Sequence, residues 1–262
     1  MSGAPSLALE GEHSLLESAT GAVRALVRTQ IGLGAICTEL LTVPRPGAVE
    51  TVRHHHAAHA AHRLARRMAD VLGVSIQVRG GVPTGPVVLA SNHLSYFDPL
   101  VIGSLLPLAA IAKAEVSSWP FLGRIAAHLG TLFVRRESPH HGAVVLRQAL
   151  RRLAAGIPVL NFPEGTTTDG SGPLLPFRRG LFGLARRAGV RVVPVGLRLD
   201  PEDAAWVGGA AFLPHYWRMS RRTSIRARVQ FGEPVDAGAF TSPEACAMEV
   251  RSRVERLVMG PR

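Results

Sequence analysis

The chain has 262 residues, 47% of them hydrophobic, and its mean hydropathy is +0.17. These values predict one large domain or two small ones, and they exclude a mostly disordered protein. Thirty basic against 19 acidic residues give a formal net charge of +11, so nucleic acid, anionic lipid or an anionic small molecule is the expected partner. Lys113 is the only lysine, so the charge is carried by arginine, which suits two-point contacts to phosphate or carboxylate.

The cysteines and the apolar runs indicate which cellular compartment suits the protein and whether it can span a membrane. Cys37 and Cys246 lack metal or redox spacing, which fits a reducing compartment. The N-terminus is not predicted to be a secretory signal, because acidic residues precede any long apolar run. No segment reaches the roughly 18 uncharged apolar residues of a membrane-spanning helix. The nearest cases, 29–38 and 99–112, are expected to be core helices or segments that dip into a membrane interface.

The N-terminal third is predicted to be helical. Residues 1–20 are polar and are expected to be loosely ordered. Residues 21–43 read as a mostly apolar helix, the Pro- and Gly-rich stretch 44–47 ends it, and a second helix rich in His and Arg covers about 48–72. The two helices predict a hairpin, at 21–72, ahead of the main domain.

Three histidines of the second helix lie on one face, at His55, His59 and His62. Such spacing can hold zinc. However, no acidic or cysteine ligand is nearby, and the arginines that follow from Arg63 onward repel a cation. A partly exposed helix that faces lipid head groups is therefore the preferred interpretation, and no metal site is predicted.

From residue 75 onward, apolar runs of strand length alternate with helical patterns. Strands are predicted at 75–79, 86–90, 131–134, 157–162, 190–199 and 225–231, and helices at about 99–106, 118–129, 140–155, 178–188 and 242–259. This alternation predicts an α/β fold with a central mixed sheet flanked by helices, over residues 75–262.

A histidine and an aspartate follow the second predicted strand. Asp98 comes five residues after His93, and a tight turn can bring the two side chains together. A carboxylate that accepts from one imidazole nitrogen raises the basicity of the other, which can then remove a proton from a substrate hydroxyl. A buried histidine that is merely satisfied by the aspartate is the alternative.

The segment 162–170, Phe-Pro-Glu-Gly-Thr-Thr-Thr-Asp-Gly, follows another strand. Gly165 lets the backbone approach a ligand closely, and the threonines and backbone N–H groups can donate to phosphate oxygens. Glu164 would repel phosphate, so it is expected to orient a donor or to accept from a hydroxyl. The alternative is an ordinary turn.

At the end of the strand 131–134, Arg135 and Arg136 point to opposite faces, so one can face a site while the other is solvated.

Together these segments resemble the glycerolipid acyltransferase family, which includes the 1-acylglycerol-3-phosphate acyltransferases. The resemblance covers about residues 75–235. The matching blocks are Asn92-His93 with Asp98, Gly130 with Phe133 and Arg136, Phe162-Pro163-Glu164-Gly165-Thr166, and Val193-Pro194-Val195, with Lys113-Ala114-Glu115, Trp119-Pro120 and Gly123 between the first two. Four blocks in order at suitable spacing make the resemblance specific.

The resemblance implies an acyl transfer from acyl-CoA or acyl carrier protein to the free hydroxyl of a lysolipid, most simply 1-acylglycerol-3-phosphate. His93 would be the base and Asp98 its partner. The residues implied to bind substrate are Asn92, Lys113, Arg136, Glu164, Gly165, Thr166 and Arg178. No metal and no bound organic cofactor are implied, since the acyl donor is a co-substrate.

One departure from the family pattern affects the acceptor. Thr167 replaces the arginine of the third block, and a threonine cannot offer the two-point contact that a phosphate monoester favours. Either Arg178 or Arg179 supplies that charge, or the head group is not a phosphate monoester. The Glu-Gly-Thr-Thr sequence is similar to family branches that act on lyso-ornithine lipids and on other lysophospholipids, and lyso-ornithine lipid is the alternative acceptor.

A lysolipid acceptor implies access to a membrane. Apolar residues of the first helix, from Val23 to Leu33, are predicted to face lipid, with the protein's own core as the competing interpretation. In the family such a hairpin commonly embeds in one leaflet. The expected location is the cytoplasmic face of the cell membrane, as a peripheral or monotopic protein on an anionic surface.

A non-catalytic basic protein that binds lipid or nucleic acid is the remaining alternative. It leaves His93, Asp98 and Glu164 without a role, and no nucleic-acid motif is present, so no nucleic-acid partner is expected.

Overall fold

The protein is described by a computed structural model over residues 6–44, 48–135, 139–208 and 210–260. The helices are α1 Ser6–Leu40, α2 Glu50–Leu72, α3 Phe97–Gly103, α4 Leu122–His128, α5 Pro139–Ala154, α6 Gly180–Ala188, α7 Phe212–Arg221 and α8 Pro243–Met259. The strands are β1 Val74–Arg79, β2 Val88–Ser91, β3 Ala109–Lys113, β4 Leu132–Val134, β5 Val159–Asn161, β6 Arg191–Asp200, β7 Ile225–Phe231 and β8 Val235–Asp236.

The strands form one sheet in the order β1-β7-β6-β2-β5-β3-β4, and β8 pairs with β6. Strands β6, β2, β5, β3 and β4 run parallel, whereas β7 and β8 are antiparallel to β6. The prediction of a mixed sheet flanked by helices is therefore confirmed.

Both faces of the central strands are buried, which explains why their sequences are continuous apolar runs. In β2, Leu89 packs into a core with α2, α3 and α7, whereas Val88 and Ala90 pack into a second core with α5, α6 and α8. Because successive side chains of a strand point to opposite faces, two helical layers cover the sheet. A site can therefore lie at the edge of the sheet where the parallel strands have their carboxyl ends.

The first two helices form the predicted hairpin. The Glu39 carboxylate is buried between them and accepts from Arg63 and Arg67 of α2, at 2.8 and 3.1 Å. On its other side, α1 packs on α7, where the Arg28 guanidinium donates to the Ser220 and Arg222 carbonyls. The hairpin is thus tied to the α/β domain. In the described part of the chain, no helix is both long and apolar enough to cross a membrane.

Some boundaries differ from the predictions. Residues 6–20 belong to α1, because this acidic stretch is also rich in Leu and Ala, which favour helix. The apolar run 99–112 is divided into the end of α3 and strand β3, whose Ala-rich sequence is held extended by pairing with β4 and β5. Helix α7 was not predicted because it contains Pro214, which lies in the first turn, where proline is tolerated.

Candidate active site

Two of the predicted segments leave the sheet side by side. Strand β2 pairs in parallel with β5, with Ala90 opposite Asn161, so the loops that follow both strands meet at one edge. The Thr168 backbone N–H donates to the His93 carbonyl at 2.9 Å, which fixes one loop against the other. This is the carboxyl edge at which α/β sheets place their ligands.

His93 and Asp98 form the predicted pair. The His93 Nδ1 lies 2.7 Å from the Asp98 Oδ2. The same oxygen accepts from the backbone N–H groups of Leu94 and Ser95, at 2.6 and 2.9 Å. Asp98 is fully buried, while the His93 side chain is 20% exposed. The carboxylate therefore orients Nδ1–H, and Nε2, which has no hydrogen-bond partner among the described residues, is left to act on a substrate.

The imidazole is also held by an aromatic ring. The rings of His93 and Phe162 are stacked, with centroids 4.0 Å apart and an interplanar angle of 15°. Phe162 belongs to the third block of the family pattern, but no role was predicted for it. Together with Asp98, it fixes the plane of the imidazole and therefore the direction of Nε2.

Glu164 connects the two loops and does not project freely toward a substrate. Its Oε1 accepts from the His93 backbone N–H at 3.1 Å, and its Oε2 accepts from the Leu175 N–H at 3.0 Å. Burial raises the pKa of the Glu164 carboxyl, although these two N–H donors and the nearby His93 oppose the rise. Glu164 thus ties the base to the segment that precedes Arg178. This is a positioning role in place of the predicted direct contact with the acceptor.

Asn92 corrects a prediction. Its Nδ2 donates to the Leu197 carbonyl at 2.9 Å, and its Oδ1 accepts from the Leu197 N–H at 2.8 Å. The side chain is buried. Asn92 therefore anchors the catalytic loop to β6 and is not placed to bind substrate. A buried amide satisfies its polar groups on the nearest backbone, which here belongs to a neighbouring strand.

A cavity of about 250 Å³ adjoins the base. Phe162 lines it on the side of His93, and its wall is otherwise largely apolar. The basic or polar side chains of its lining are Arg135, Arg178 and Asn161. Arg135 and Arg178 are exposed, and neither has an ion-pair partner within the described residues. The arrangement fits an amphiphile with an anionic group at the two guanidinium groups.

The two candidate replacements for the missing arginine differ. Arg178 lines the cavity, and its backbone N–H donates to the Pro163 carbonyl at 3.0 Å. Arg179 pairs instead with Glu244 at the start of α8. Of these two arginines, Arg178 is the one that faces the site.

The remaining residues that were predicted to bind substrate differ in their position relative to the cavity. Gly165 lines the cavity with a φ of +83°, the left-handed conformation that favours glycine. Thr166 and Lys113 are exposed, Lys113 at the end of β3 opposite Val134, and neither lines the cavity. Arg136 lies outside the described residues. Its neighbour Arg135 lines the cavity.

The described residues hold no group of three histidine, cysteine or acidic side chains that could bind a metal. Of the three histidines on one face of α2, His62 has its Nδ1 2.7 Å from the Gly103 carbonyl, whereas His55 and His59 are exposed. His62 therefore helps to pack α2 on α3.

Comparisons with known proteins agree with these observations. A family model described as Acyltransferase matches residues 74–198. The lyso-ornithine lipid O-acyltransferase of Pseudomonas aeruginosa is 34% identical over 246 residues, which cover 90% of this chain and 92% of that protein. The protein of the same name from Rhizobium meliloti is 31% identical over 75% of this chain and 73% of its own length. The 1-acyl-sn-glycerol-3-phosphate acyltransferase of Neisseria meningitidis is 31% identical over 76% and 80%.

One solved structure is also similar. The crystal structure of the 1-acyl-sn-glycerophosphate acyltransferase of Thermotoga maritima matches with a TM-score of 0.64 and 20% identity, over 92% of this chain and 95% of that chain. At this identity the likeness concerns the fold alone. It supports the mixed sheet with two helices at its N-terminal side.

Proposed function

Because this chain belongs to the acyltransferase family, it is an acyltransferase, and we propose that it acylates the free hydroxyl of a lysolipid with His93 as general base. The observation that carries the proposal is the His93–Asp98 pair, 2.7 Å apart, beside a cavity with two guanidinium groups at an apolar wall. The alternative of a non-catalytic basic protein is set aside, because the similar proteins are named as acyltransferases.

In the proposed reaction, no protein nucleophile is needed. His93 Nε2 takes the proton of the acceptor hydroxyl while the hydroxyl oxygen attacks the thioester carbonyl of the donor. The C–O bond of the new ester forms, the C–S bond breaks, and the departing thiolate receives the proton from Nε2. Asp98 stabilises the imidazolium that exists between the two proton transfers.

The donor is proposed to be acyl-CoA or acyl carrier protein, used as a co-substrate. Neither a metal nor a bound organic cofactor takes part in this scheme, since the imidazole carries out both of the proton transfers that the reaction needs.

Two observations favour lyso-ornithine lipid as the acceptor. Thr167 stands where the family pattern has an arginine, which removes one two-point contact for a phosphate monoester. The relative that spans 90% of this chain is named for lyso-ornithine lipid. An ornithine head group carries one carboxylate and one free ammonium group, so it calls for less positive charge than a phosphate monoester, and Arg178 and Arg135 are the candidate partners of its carboxylate. These same two arginines favour 1-acylglycerol-3-phosphate as the second candidate, because they restore positive charge at the cavity.

The proposal also places the protein on a membrane. The outward face of α1 carries Val23, Leu26, Val27, Ile31 and Leu33, each more than half exposed. Its arginines Arg24 and Arg28 turn toward α7 and leave that face apolar. We infer that α1 lies in the interface of an anionic membrane, on the cytoplasmic face, as a peripheral or monotopic element.

Acyl transfer from labelled acyl-CoA and acyl carrier protein to a panel of lysolipids tests the proposal. Product on lyso-ornithine lipid that is absent with His93→Ala supports it. Product only on 1-acylglycerol-3-phosphate keeps the chemistry and replaces the acceptor. No product that depends on His93, with either donor and any acceptor, contradicts the catalytic assignment.

A matched pair of variants tests the acceptor pocket. Arg178→Ala is expected to raise KM for the acceptor about tenfold or more, the loss of a charged hydrogen bond. Arg179→Ala removes the same charge from the neighbouring position, where Glu244 already pairs with it, and is expected to leave KM nearly unchanged. Equal effects of the two variants would contradict a specific role for Arg178.

A further inference from the structure

The aromatic residues that favour membrane interfaces are concentrated in one region. The chain has three tryptophans and two tyrosines, and all five lie on α7 or on the segments that pack against it. They are Tyr96, Trp119, Trp206, Tyr216 and Trp217. Phe212 of α7 joins them, with its ring centroid 4.9 Å from that of Tyr96 and 5.3 Å from that of Trp119. We call this set, with Phe121 and Leu213 at its outer side, the aromatic patch.

The aromatic patch is built onto the catalytic loop. Tyr96 lies between His93 and Asp98 in the chain, and its hydroxyl lies 3.0 Å from the His215 Nδ1. The His215 Nε2 faces two backbone carbonyls, so it carries the proton, and Nδ1 accepts from the tyrosine. The Trp206 backbone N–H donates to the Leu94 carbonyl at 2.8 Å. The position of the aromatic patch and the position of the catalytic loop are therefore coupled through Tyr96 and Trp206.

At the outer side of the aromatic patch, the backbone conformation of Phe121 keeps its side chain exposed to solvent. Phe121 is 82% exposed and has a φ of +62°, while the Leu122 N–H donates to the Pro120 carbonyl at 2.7 Å. This is a γ-turn of the strained kind, rare for a residue with a bulky side chain. The backbone is closely packed next to this turn, since a Cβ on Gly123 would lie 2.2 Å from the Ser117 carbonyl oxygen. Leu213, which follows Phe212 on α7, is 72% exposed.

The elements that carry the aromatic patch are in contact with α1. Helix α7 packs beside α1, where the hydroxyls of Thr29 and Tyr216 are 3.4 Å apart. Helix α4, which begins directly after Phe121, ends against α1, where the His128 Nε2 lies 3.2 Å from the Leu40 carbonyl. Helices α4 and α7 thus both pack against α1. The basic residues Lys113 and Arg124 flank the turn and complement an anionic lipid surface.

We propose that Phe121 and Leu213 insert into the interface of an anionic bilayer as a second membrane contact, in addition to α1. The proposal rests on the proposed function, since a lysolipid acceptor requires the base to meet the bilayer. Tryptophan and tyrosine rings favour the head-group level, with the apolar part toward the acyl chains. Contact at this point sets the depth of the catalytic loop through Tyr96 and Trp206.

Intrinsic fluorescence tests the insertion, because every tryptophan of the chain is a reporter within the aromatic patch. The full chain is titrated with vesicles of phosphatidylcholine and phosphatidylglycerol, with brominated acyl chains as quenchers. We expect quenching on binding. Phe121→Gly and Leu213→Ser are each expected to weaken binding about tenfold, the effect of withdrawing one large apolar side chain from lipid.

Two controls separate insertion from damage to the fold. Phe121→Gly suits a positive φ, so it should raise the melting temperature while it weakens binding. Met248→Ser removes an apolar side chain that is 68% exposed on α8, away from the aromatic patch, and should bind as the parent does. Vesicle binding that is unchanged in Phe121→Gly and Leu213→Ser, or equally weakened by Met248→Ser, would overturn the proposal.

Activity in two formats distinguishes this proposal from the proposed function. Phe121→Gly and Leu213→Ser should lose acyl transfer to a lysolipid in vesicles but retain it in detergent micelles, whereas His93→Ala should bind vesicles and be inactive in both. If the parent chain is inactive in both formats, the proposed function fails, while the quenching experiment still decides whether the aromatic patch inserts.

Discussion

Two histidine–carboxylate pairs occur among the described residues, one in the catalytic loop and one in the N-terminal hairpin, and they are built in opposite ways. In the first, Asp98 is fully buried and His93 is 20% exposed, with 2.7 Å between them. In the second, His54 of α2 is 6% exposed and Glu50 is 52% exposed, with 3.5 Å between Nε2 and Oε1. The carboxylate is the buried partner in one pair and the solvated partner in the other.

The difference decides what each histidine can do. Asp98 cannot exchange its contacts for water, so its charge is directed at Nδ1 of a ring whose other side is accessible. His54 is instead buried, close to Arg152, and these effects lower its pKa to about 4 despite the nearby Glu50. It therefore stays neutral near pH 7 and serves packing. A histidine beside a carboxylate is thus a candidate base only when the carboxylate is the buried partner.

The largest expected effect comes from Asp98→Asn. The asparagine Oδ1 can still accept from Leu94 and Ser95, and the Asp98 Oδ1 has no partner that an amide N–H₂ would displace. The fold should survive, while loss of the charge should lower kcat by about 10³- to 10⁴-fold. Steady-state rates, with a thermal melt as the control for folding, check this. A loss of less than tenfold would mean that the buried carboxylate does not define the functional pair.

Glu164→Gln should have the next largest effect, because the catalytic pair, unlike the hairpin pair, depends on a further buried carboxylate. One amide oxygen cannot accept from both the His93 and the Leu175 N–H groups. One of these two N–H groups would be left without an acceptor in the variant, and we expect kcat/KM to fall about 10- to 100-fold as a result. Glu255→Gln is the matched control, since Glu255 accepts from the Leu174 N–H but does not touch His93. An equal loss in both variants would reduce Glu164 to a residue that only holds the 174–175 segment.

The sequence located the reacting pair but misread its supports. His93 and Asp98 are five residues apart in one turn, so local spacing sufficed to predict their contact. Asn92 binds a backbone 105 residues away, and Glu164 binds one 71 residues away. Such partners depend on the order of strands in the sheet, which local patterns do not specify. The stacking of Phe162 on His93 depends on the same order.

The fold was predicted where burial dominates. Strands β2, β5 and β6 are apolar runs because both of their faces are covered, and the helices between them end near glycines such as Gly156 and Gly189. Strand β3 was not predicted, because alanine-rich sequence favours helix until neighbouring strands pair with it. The short β8 was also not predicted, since two residues carry no periodicity.

A smaller effect is expected from His54→Leu, and it concerns stability and not rate. The pKa of His54 is about 4 in the folded protein and near its ordinary 6.5 when unfolded, so the unfolded state binds more protons between these values. The free energy of unfolding should fall as the pH drops from 6.5 to 4, by about 1–3 kcal/mol from this residue. Denaturant unfolding should show that the leucine variant loses this part of the slope. An unchanged slope would mean that His54 is not the buried, neutral histidine of the comparison.

The smallest effect is expected from Glu50→Gln, the counterpart of Asp98→Asn in the other pair. Glu50 is half exposed and also contacts Arg151 at 3.2 Å, an exposed ion pair of the kind that contributes about 0–1 kcal/mol. The free energy of unfolding at pH 7 and kcat in micelles should both stay close to the parent values. Because Glu50 raises the pKa of His54, its removal should lower that pKa further, which an NMR titration of the imidazole can follow. A large loss of activity would show that a solvated carboxylate can also support catalysis, and the contrast between the two pairs would no longer hold.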